Sequence, residues 1–370
     1  MLKKIYFDWM DTQRYPIIQG GMGAGISLFP LASAVSKAGA MGTISSVALD
    51  QFTSIRTGLI LNQMQACERE IFDTIKASGF AAINIMVKLA RDYAASVEGA
   101  VKGGVNMIIS GAGLPTDLPR LVAQYAETKE HKIALVPIVS SASILEILIN
   151  RSWGPFGHLP DAVILEGPKA GGHLGFRYKD IIKSKGNFLK DYDLFNVLLD
   201  PVLAITQKYN IPLFVAGGIR TKEDVKSAIS RGCCGVQIGT PFVPTPESGA
   251  SDCFKQMILE GCDGDVLISD ESWGSPAGYP FRYLNNSPLA KKDRSANDKY
   301  FCICTGLLAS TNADIKFKKG SCPEGYVISK DGSCSAIGNV AYEGFYTSGI
   351  PIDGITEIRS VEEIIGELVE

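Results

Sequence analysis

A glycine-rich stretch near the middle of the chain carries a carboxylate and a histidine close together. Ala162 to Leu165 is a short apolar run, which predicts a buried strand, and Glu166-Gly-Pro-Lys-Ala-Gly-Gly-His173 follows it directly. Glycine lets backbone N–H groups approach a ligand, and histidine is the side chain most easily tuned to exchange a proton near neutral pH. His173 is therefore the candidate general base, and the alternative is a loop histidine that caps backbone carbonyls.

Two later predicted strands end in small residues that would suit a phosphate. Ala216-Gly217-Gly218 ends the seventh strand, and Gly239-Thr240 follows the eighth. In α/β barrels these two loops often bind a phosphate through backbone N–H groups and a helix N-terminus, and a threonine hydroxyl can add a donor. A phosphate site is the favoured interpretation, and the alternative is that the glycines only make tight turns.

Other strand ends carry further candidates for ligand binding. Gln19-Gly20-Gly21-Met22-Gly23 follows the first strand, where the methionine could line a planar ring or simply pack in the core. Asn84 lies in an otherwise apolar strand and needs polar partners if it is buried, either on a ligand or on a neighbouring loop. Glu166 could accept from a ribityl chain or a ring, or it could be tied to backbone donors.

The cysteines do not have the spacing of a metal site. Cys302 and Cys304 are close, but eleven residues separate Cys322 from Cys334. Zinc sites built from four cysteines usually pair their ligands two to four residues apart, so we expect no metal. Nine cysteines in a chain without an evident export signal indicate reduced thiols and a cytoplasmic protein.

Eight strand–helix units must position these loops. They cover about 240 residues, which is the size of a (β/α)8 barrel. We therefore predict an α/β fold, a TIM barrel over 1–260 with an insertion after the sixth strand at about 177–191. Residues 261–370 are predicted to form a partly loop-rich C-terminal extension packed on the barrel. The predicted strands are 16–19, 41–45, 81–87, 105–109, 133–138, 162–165, 211–215 and 235–238.

The overall charge excludes some partners. The chain has 36 basic and 39 acidic residues, a net charge of −3, and offers no basic field for nucleic acid or an anionic membrane. No run of eighteen apolar residues occurs, so no membrane span is expected. A small-molecule ligand is the partner that the strand ends predict.

Several linked motifs resemble the nitronate monooxygenases, formerly called 2-nitropropane dioxygenases. The flavin-dependent enoyl-ACP reductases are close relatives with the same framework. The resemblance spans about 14–260. The motifs that carry it, in family order, are Pro16-Ile-Ile-Gln-Gly-Gly-Met, Gly111-Ala-Gly-Leu-Pro, Glu166-Gly-Pro-Lys-Ala-Gly-Gly-His, Ala216-Gly-Gly-Ile and Gln237-Ile-Gly-Thr.

The resemblance implies a barrel that binds FMN non-covalently at its C-terminal face. By this resemblance Gly20, Gly21 and Met22 would flank the isoalloxazine, with Asn84 near its polar edge. Glu166 and Gly171 would contact the flavin, and His173 would face the substrate. Gly217, Gly218, Gln237, Gly239 and Thr240 would hold the phosphate.

The implied activity is oxidation of an alkyl nitronate with O2 to a carbonyl compound and nitrite. The alternatives are an enoyl-ACP reductase that uses FMN and NAD(P)H, and a barrel that binds flavin without turnover. A homodimer is a possible assembly. Two departures from the family pattern bear on the substrate. Lys169 stands where many relatives have Glu, and 275–282 is a diverged form of a Ser-Pro-Val-Gly-x-Pro-Gly-Arg run.

Overall fold

The structure is a computed structural model that describes residues 2–10, 12–126, 132–271, 278–287, 290, 326–328, 334–336 and 345–370. Cys302, Cys304 and Cys322 lie outside the described residues. Within the described ranges, no group of three or more histidine, cysteine or acidic side chains could hold a metal ion. No helix there is long and apolar enough to cross a membrane.

Eight parallel strands form the barrel, as predicted. The barrel strands are β1 (Ile17–Gln19), β2 (Thr43–Ser45), β3 (Ala82–Met86), β4 (Met107–Gly111), β5 (Ala134–Val139), β6 (Val163–Glu166), β8 (Leu213–Ala216) and β9 (Gly235–Ile238). Their order in the sheet is β1-β9-β8-β6-β5-β4-β3-β2, and a parallel bridge between Ile18 and Met41 joins the two ends of the sheet. The (β/α)8 TIM barrel is thus confirmed. The short strand β7 (Gly172–His173) lies outside the barrel sheet.

The strands are apolar because both of their faces are buried. One set of side chains fills the barrel interior, and Phe80, just before β3, closes it at the amino-terminal end of the strands. The opposite set packs against the helices. The larger interior side chains are Ile18, Met41, Met107, Ile109, Ile164 and Phe214.

The helices surround the barrel and begin at recognisable caps. Thr221 and Ser360 each form a capping box with an acidic residue three positions later. The helices are α1 (Phe29–Lys37), α2 (Leu49–Thr57), α3 (Gln63–Ser78), α4 (Ala90–Gly103), α5 (Leu118–Tyr125), α6 (Ala142–Ile147), α7 (Tyr178–Lys183), α8 (Phe188–Asp191), α9 (Leu199–Lys208), α10 (Lys222–Ser230), α11 (Asp252–Glu260) and α12 (Val361–Val369).

The last helix of the chain lies in the helix layer of the barrel. α12 contacts α1 and α10, and its apolar face joins the core between strands and helices. α11 instead packs in a separate cluster, where Phe254 stacks on Tyr346 with ring centroids 4.7 Å apart. α11 is the first α-helix after the eighth barrel strand, but α12 is the helix that packs between α1 and α10. The domain boundary expected at residue 260 stays a prediction.

A second sheet connects the extension to the barrel loops. β10 (Val266–Ile268), β11 (Phe281–Leu284) and β7 pair in that order, all antiparallel. Sequence patterns gave no sign of this sheet, because β7 is two residues long and follows glycines. β12 (Tyr326–Ile328) and β13 (Cys334–Ala336) form a separate antiparallel pair.

Candidate active site

A cavity of about 730 Å³ opens at the carboxyl ends of the barrel strands. This is the face on which TIM-barrel enzymes carry their sites. All twelve residues that the sequence singled out line this one cavity, so the structure brings the whole predicted set together. They are Gly20, Gly21, Met22, Asn84, Glu166, Gly171, His173, Gly217, Gly218, Gln237, Gly239 and Thr240.

Buried hydrogen bonds hold the turn after β1. The Gln19 amide is fully buried, donates to Ser27 Oγ at 2.8 Å and accepts from the Thr43 N–H at 3.0 Å. The Met22 N–H also donates to Ser27 Oγ, at 2.9 Å. A Cβ atom added to Gly21 would lie 2.4 Å from Asn84 Cβ. The turn and Asn84 therefore meet at a distance that only glycine permits.

The two glycines after β8 adopt backbone conformations that favour glycine. Gly217 has φ of +91° and Gly218 has φ of +90°. A Cβ atom on Gly217 would meet the Gly167 carbonyl oxygen at 2.9 Å, and one on Gly218 would meet the Lys169 side chain at 2.8 Å. The β8 loop is therefore packed closely against the loop after β6, with bare backbone facing the cavity.

Two polar groups from the β9 end complete this wall. Gln237 is buried, and its Oε1 atom has no hydrogen-bond partner among the described residues. A buried carbonyl oxygen without a partner is costly, which points to a missing ligand or water. Thr240 Oγ1 accepts from the Gly349 N–H at 3.1 Å. A hydroxyl that accepts one bond can still donate one, so Thr240 keeps a donor for a ligand.

The segment Thr347 to Pro351 is a part of the cavity that sequence reasoning missed. The Ile350 N–H donates to the Lys169 carbonyl at 3.0 Å. A Cβ atom on Gly171 would lie 2.5 Å from the Gly349 nitrogen, so the two backbones are in contact. No local pattern marks these residues, since their role depends on a contact with a loop about 180 positions earlier in the chain.

The two titratable candidates in the cavity are shifted in opposite directions by burial. Burial raises the pKa of Glu166 to about 8 and lowers the pKa of His173 to about 4. Both shifts disfavour the charged form. At pH 7 the carboxyl group is therefore mostly protonated and can donate a hydrogen bond, while the imidazole is neutral and can accept a proton.

The segment predicted as an insertion lies at the cavity. Phe176 and Tyr192 line it, and with Phe188 they form a cluster whose ring centroids are 5.1 to 5.4 Å apart. The Tyr178 hydroxyl lies 2.8 Å from Ser269 Oγ, just after β10. The aromatic cluster holds α8 against Phe176, which precedes α7, and the Tyr178 contact holds α7 to the extension.

A model of the nitronate monooxygenase family matches residues 7–370 of the chain. The chain belongs to the nitronate monooxygenase family. This confirms the family that the motifs resembled. Members of this family are flavin-dependent enzymes, so the chain is an oxidoreductase of the nitronate monooxygenase type.

Curated relatives agree with this family. A probable nitronate monooxygenase of Staphylococcus saprophyticus is 26% identical over 286 residues, which cover 71% of this chain and 75% of the relative. One of Staphylococcus aureus (strain Newman) is 24% identical over 314 residues, covering 78% and 80%.

Solved structures share the fold. FabK from Thermotoga maritima gives a TM-score of 0.68 at 22% identity, covering 100% of this chain and 95% of that one. A nitroalkane oxidase from Streptomyces ansochromogenes gives 0.59 at 17% identity, covering 95% and 94%. At these identities the likeness concerns the fold alone.

The lining of the cavity fits a flavin nucleotide. Gly171, Gly217 and Gly218 present bare backbone at the cavity, and their loops pack against neighbouring segments too closely to admit a Cβ atom. Gln237 Oε1 is a buried acceptor that still needs a donor. Backbone donors and small residues suit a phosphate, and an unpartnered amide oxygen suits a polar edge of a ligand.

Proposed function

We propose that this chain is an FMN-dependent nitronate monooxygenase that oxidises alkyl nitronates with O2 to a carbonyl compound and nitrite. One observation carries the proposal. In a member of this family, a single cavity at the carboxyl ends of the strands is lined by the complete set of residues that the motifs indicate.

The same residues are proposed to hold the cofactor. Gly217, Gly218 and the Gln237 to Thr240 segment would bind the FMN phosphate through backbone N–H groups and the Thr240 hydroxyl. Gly20 to Met22 and Asn84 would flank the ring system, and Glu166 and Gly171 would contact it from the β6 side. When bound, FMN supplies the electron acceptor through which the substrate is oxidised and O2 is reduced.

His173 is proposed to act as a base on neutral substrates. Its imidazole is neutral at pH 7, because burial lowers its pKa to about 4. A neutral nitroalkane must lose a proton from carbon before it becomes a nitronate, and a neutral imidazole can take that proton. Apolar side chains, among them Ile138 and Ile144, line the cavity and help to exclude water from this step.

Anaerobic mixing of the FMN-loaded protein with candidate reductants tests the proposed reaction. We expect propionate 3-nitronate to bleach the flavin, and we expect nitrite to form when O2 is present. Rapid bleaching by NADPH with none by the nitronate would overturn the proposal and favour an enoyl reductase. A protein that stays colourless after FMN is added and unbound flavin is removed would exclude every flavin-dependent function.

Replacing His173 with alanine tests the base. We expect Ala at this position to slow turnover of a neutral nitroalkane by about 100-fold or more, in the range of general base catalysis. Turnover of the corresponding nitronate, which carries no proton to remove, should change much less. Equal losses with both substrates would contradict the role as base while leaving the nitronate reaction in place.

A further inference from the structure

A buried arginine of the extension holds the loop that carries His173. Arg282 lies in β11 and is only 3% exposed. Its Nε atom donates to the Ala170 carbonyl at 3.1 Å, and its Nη2 atom donates to the Pro168 carbonyl at 2.5 Å. One guanidinium group therefore binds two carbonyls of the Glu166–His173 loop at once.

The backbone of β11 holds the same loop next to this contact. Arg282 is paired with Gly172, and Phe281 is paired with His173. The Leu174 N–H donates to the Pro280 carbonyl at 2.8 Å. Backbone pairing thus fixes the end of the loop at 172–174, and the arginine fixes the part at 168–170 that this pairing does not reach.

Burying a guanidinium group is costly, and an apolar side chain of similar volume could fill the same space. What an apolar side chain could not do is orient peptide groups. The guanidinium is planar and presents its donors in a fixed fork, so binding two carbonyls sets the direction of both. Lysine would reach one carbonyl at a time.

Orienting these carbonyls also orients two N–H groups. In a trans peptide the C=O of one residue and the N–H of the next lie in one plane and point in opposite directions. The Pro168 carbonyl therefore fixes the Lys169 N–H, and the Ala170 carbonyl fixes the Gly171 N–H, both directed away from Arg282. Lys169 and Gly171 both line the cavity. Neighbouring backbone N–H groups with a common direction form a site for anionic oxygen.

We propose that Arg282 is a positioning residue that aims the Lys169 and Gly171 N–H groups at an anionic or carbonyl oxygen of the ligand in the cavity. The oxygen belongs either to FMN or to the nitronate, and the two sources are separable by experiment. This inference rests on the proposed function for the nature of the ligand, but its first measurement requires no turnover.

The test compares Arg282→Ala and Arg282→Lys with Arg231→Ala in the whole chain. Arg231 is a matched control, because it also donates to a backbone carbonyl, that of Phe195 at 3.3 Å, but it is exposed and does not line the cavity. Hydrogen exchange is measured by mass spectrometry. Without Arg282, we expect amides of 167–174 to exchange about tenfold faster or more, as for loss of charge-assisted hydrogen bonds, while α3 and α4 are unchanged.

Ligand binding then identifies the oxygen. If it belongs to FMN, the dissociation constant of FMN rises about tenfold in Arg282→Ala; if it belongs to the nitronate, FMN binding is kept and KM rises with little change in kcat. Millimolar methylguanidinium should restore the loss in Arg282→Ala, and methylammonium, which has the charge without the fork, should not. Arg282→Lys is expected to show a partial loss, and it carries the same measurements if Arg282→Ala does not fold.

Two results would overturn the proposal. One is uniformly faster exchange across the chain, because Arg282 would then only support the fold. The other is a folded variant with unchanged exchange at 167–174, unchanged FMN affinity and unchanged KM. Failure of the wild-type protein to form nitrite would refute the proposed reaction instead, and the exchange and FMN measurements would still decide the role of Arg282.

Discussion

Glu166 and His173 give the free energy of unfolding two opposing pH dependences. Between pH 4.5 and 8 the folded protein keeps a proton on Glu166 that the unfolded chain releases, so stability falls as the pH rises through this window. Between pH 4 and 6.5 the unfolded chain holds a proton on His173 that the folded protein lacks, so stability rises with pH. The two effects overlap and largely cancel in the wild-type protein.

The magnitudes follow from the shifts. One pKa unit corresponds to about 1.4 kcal/mol, so from pH 5 to pH 7 Glu166 lowers the free energy of unfolding by about 2.5 kcal/mol. Over the same range His173 raises it by about 2 kcal/mol. Residual contact of both side chains with solvent reduces these values. The free energy of unfolding of the wild-type protein should therefore change by less than about 1 kcal/mol between pH 5 and pH 7 because of this pair.

Glu166→Gln and His173→Gln separate the two effects. Urea unfolding of the FMN-free protein is measured at pH 5, 6 and 7, and each variant is compared with wild type so that other groups cancel. From pH 5 to pH 7 the free energy of unfolding of Glu166→Gln relative to wild type should rise by up to about 2.5 kcal/mol. That of His173→Gln relative to wild type should fall by up to about 2 kcal/mol. The double variant should recover the nearly flat profile. Differences that do not depend on pH would refute burial as the dominant influence on these groups.

Three further substitutions test other parts of the site. In urea titrations, Gly217→Ala should lower the free energy of unfolding by about 1–3 kcal/mol more than the control Gly58→Ala. Both residues have positive φ, but only at Gly217 would an added Cβ atom meet backbone. Equal losses in the two variants would contradict this. Gln237→Leu should weaken FMN binding, measured by flavin fluorescence, by about 1–2 kcal/mol and should not destabilise the FMN-free protein. Unchanged FMN binding with a less stable FMN-free protein would mean that the Gln237 Oε1 atom is hydrogen-bonded within the protein. Tyr178→Phe should lower the free energy of unfolding by about 1 kcal/mol and speed hydrogen exchange in 176–192. Unchanged exchange would show that the contact with Ser269 does not hold this segment in place.

The grouping of the candidate residues at one face of the barrel could be predicted because its signals are local. A glycine turn after an apolar run marks the carboxyl end of a strand, and a parallel barrel brings all such ends to one face. Gly20, Glu166 and Gly217 are far apart in sequence, yet each was identified from its immediate neighbours. Only the count of eight units was needed to bring them together around one cavity.

The contribution of the extension could not be predicted, because it depends on contacts between distant segments. Arg282 ends the diverged run 275–282, but that run does not indicate what the arginine binds until β11 pairs with β7 and brings it to the Pro168 carbonyl. No local sequence pattern marks the segment around Gly349 as part of a site. Its N–H donates to the Thr240 hydroxyl, 109 positions earlier in the chain, and only the folded structure shows this contact. Local propensity carries no information about which loop such a segment will meet.

The barrel and the extension build the cavity jointly. α12 packs between α1 and α10, so the segment that precedes it must cross from the cavity to the outside of the barrel. On that path the Ile350 N–H binds the Lys169 carbonyl, on the same loop that Arg282 holds. A loop rich in glycine has many backbone conformations available, and fixing it costs conformational entropy. The contacts from the extension offset that cost, which explains why a loop this glycine-rich can present His173 in one position.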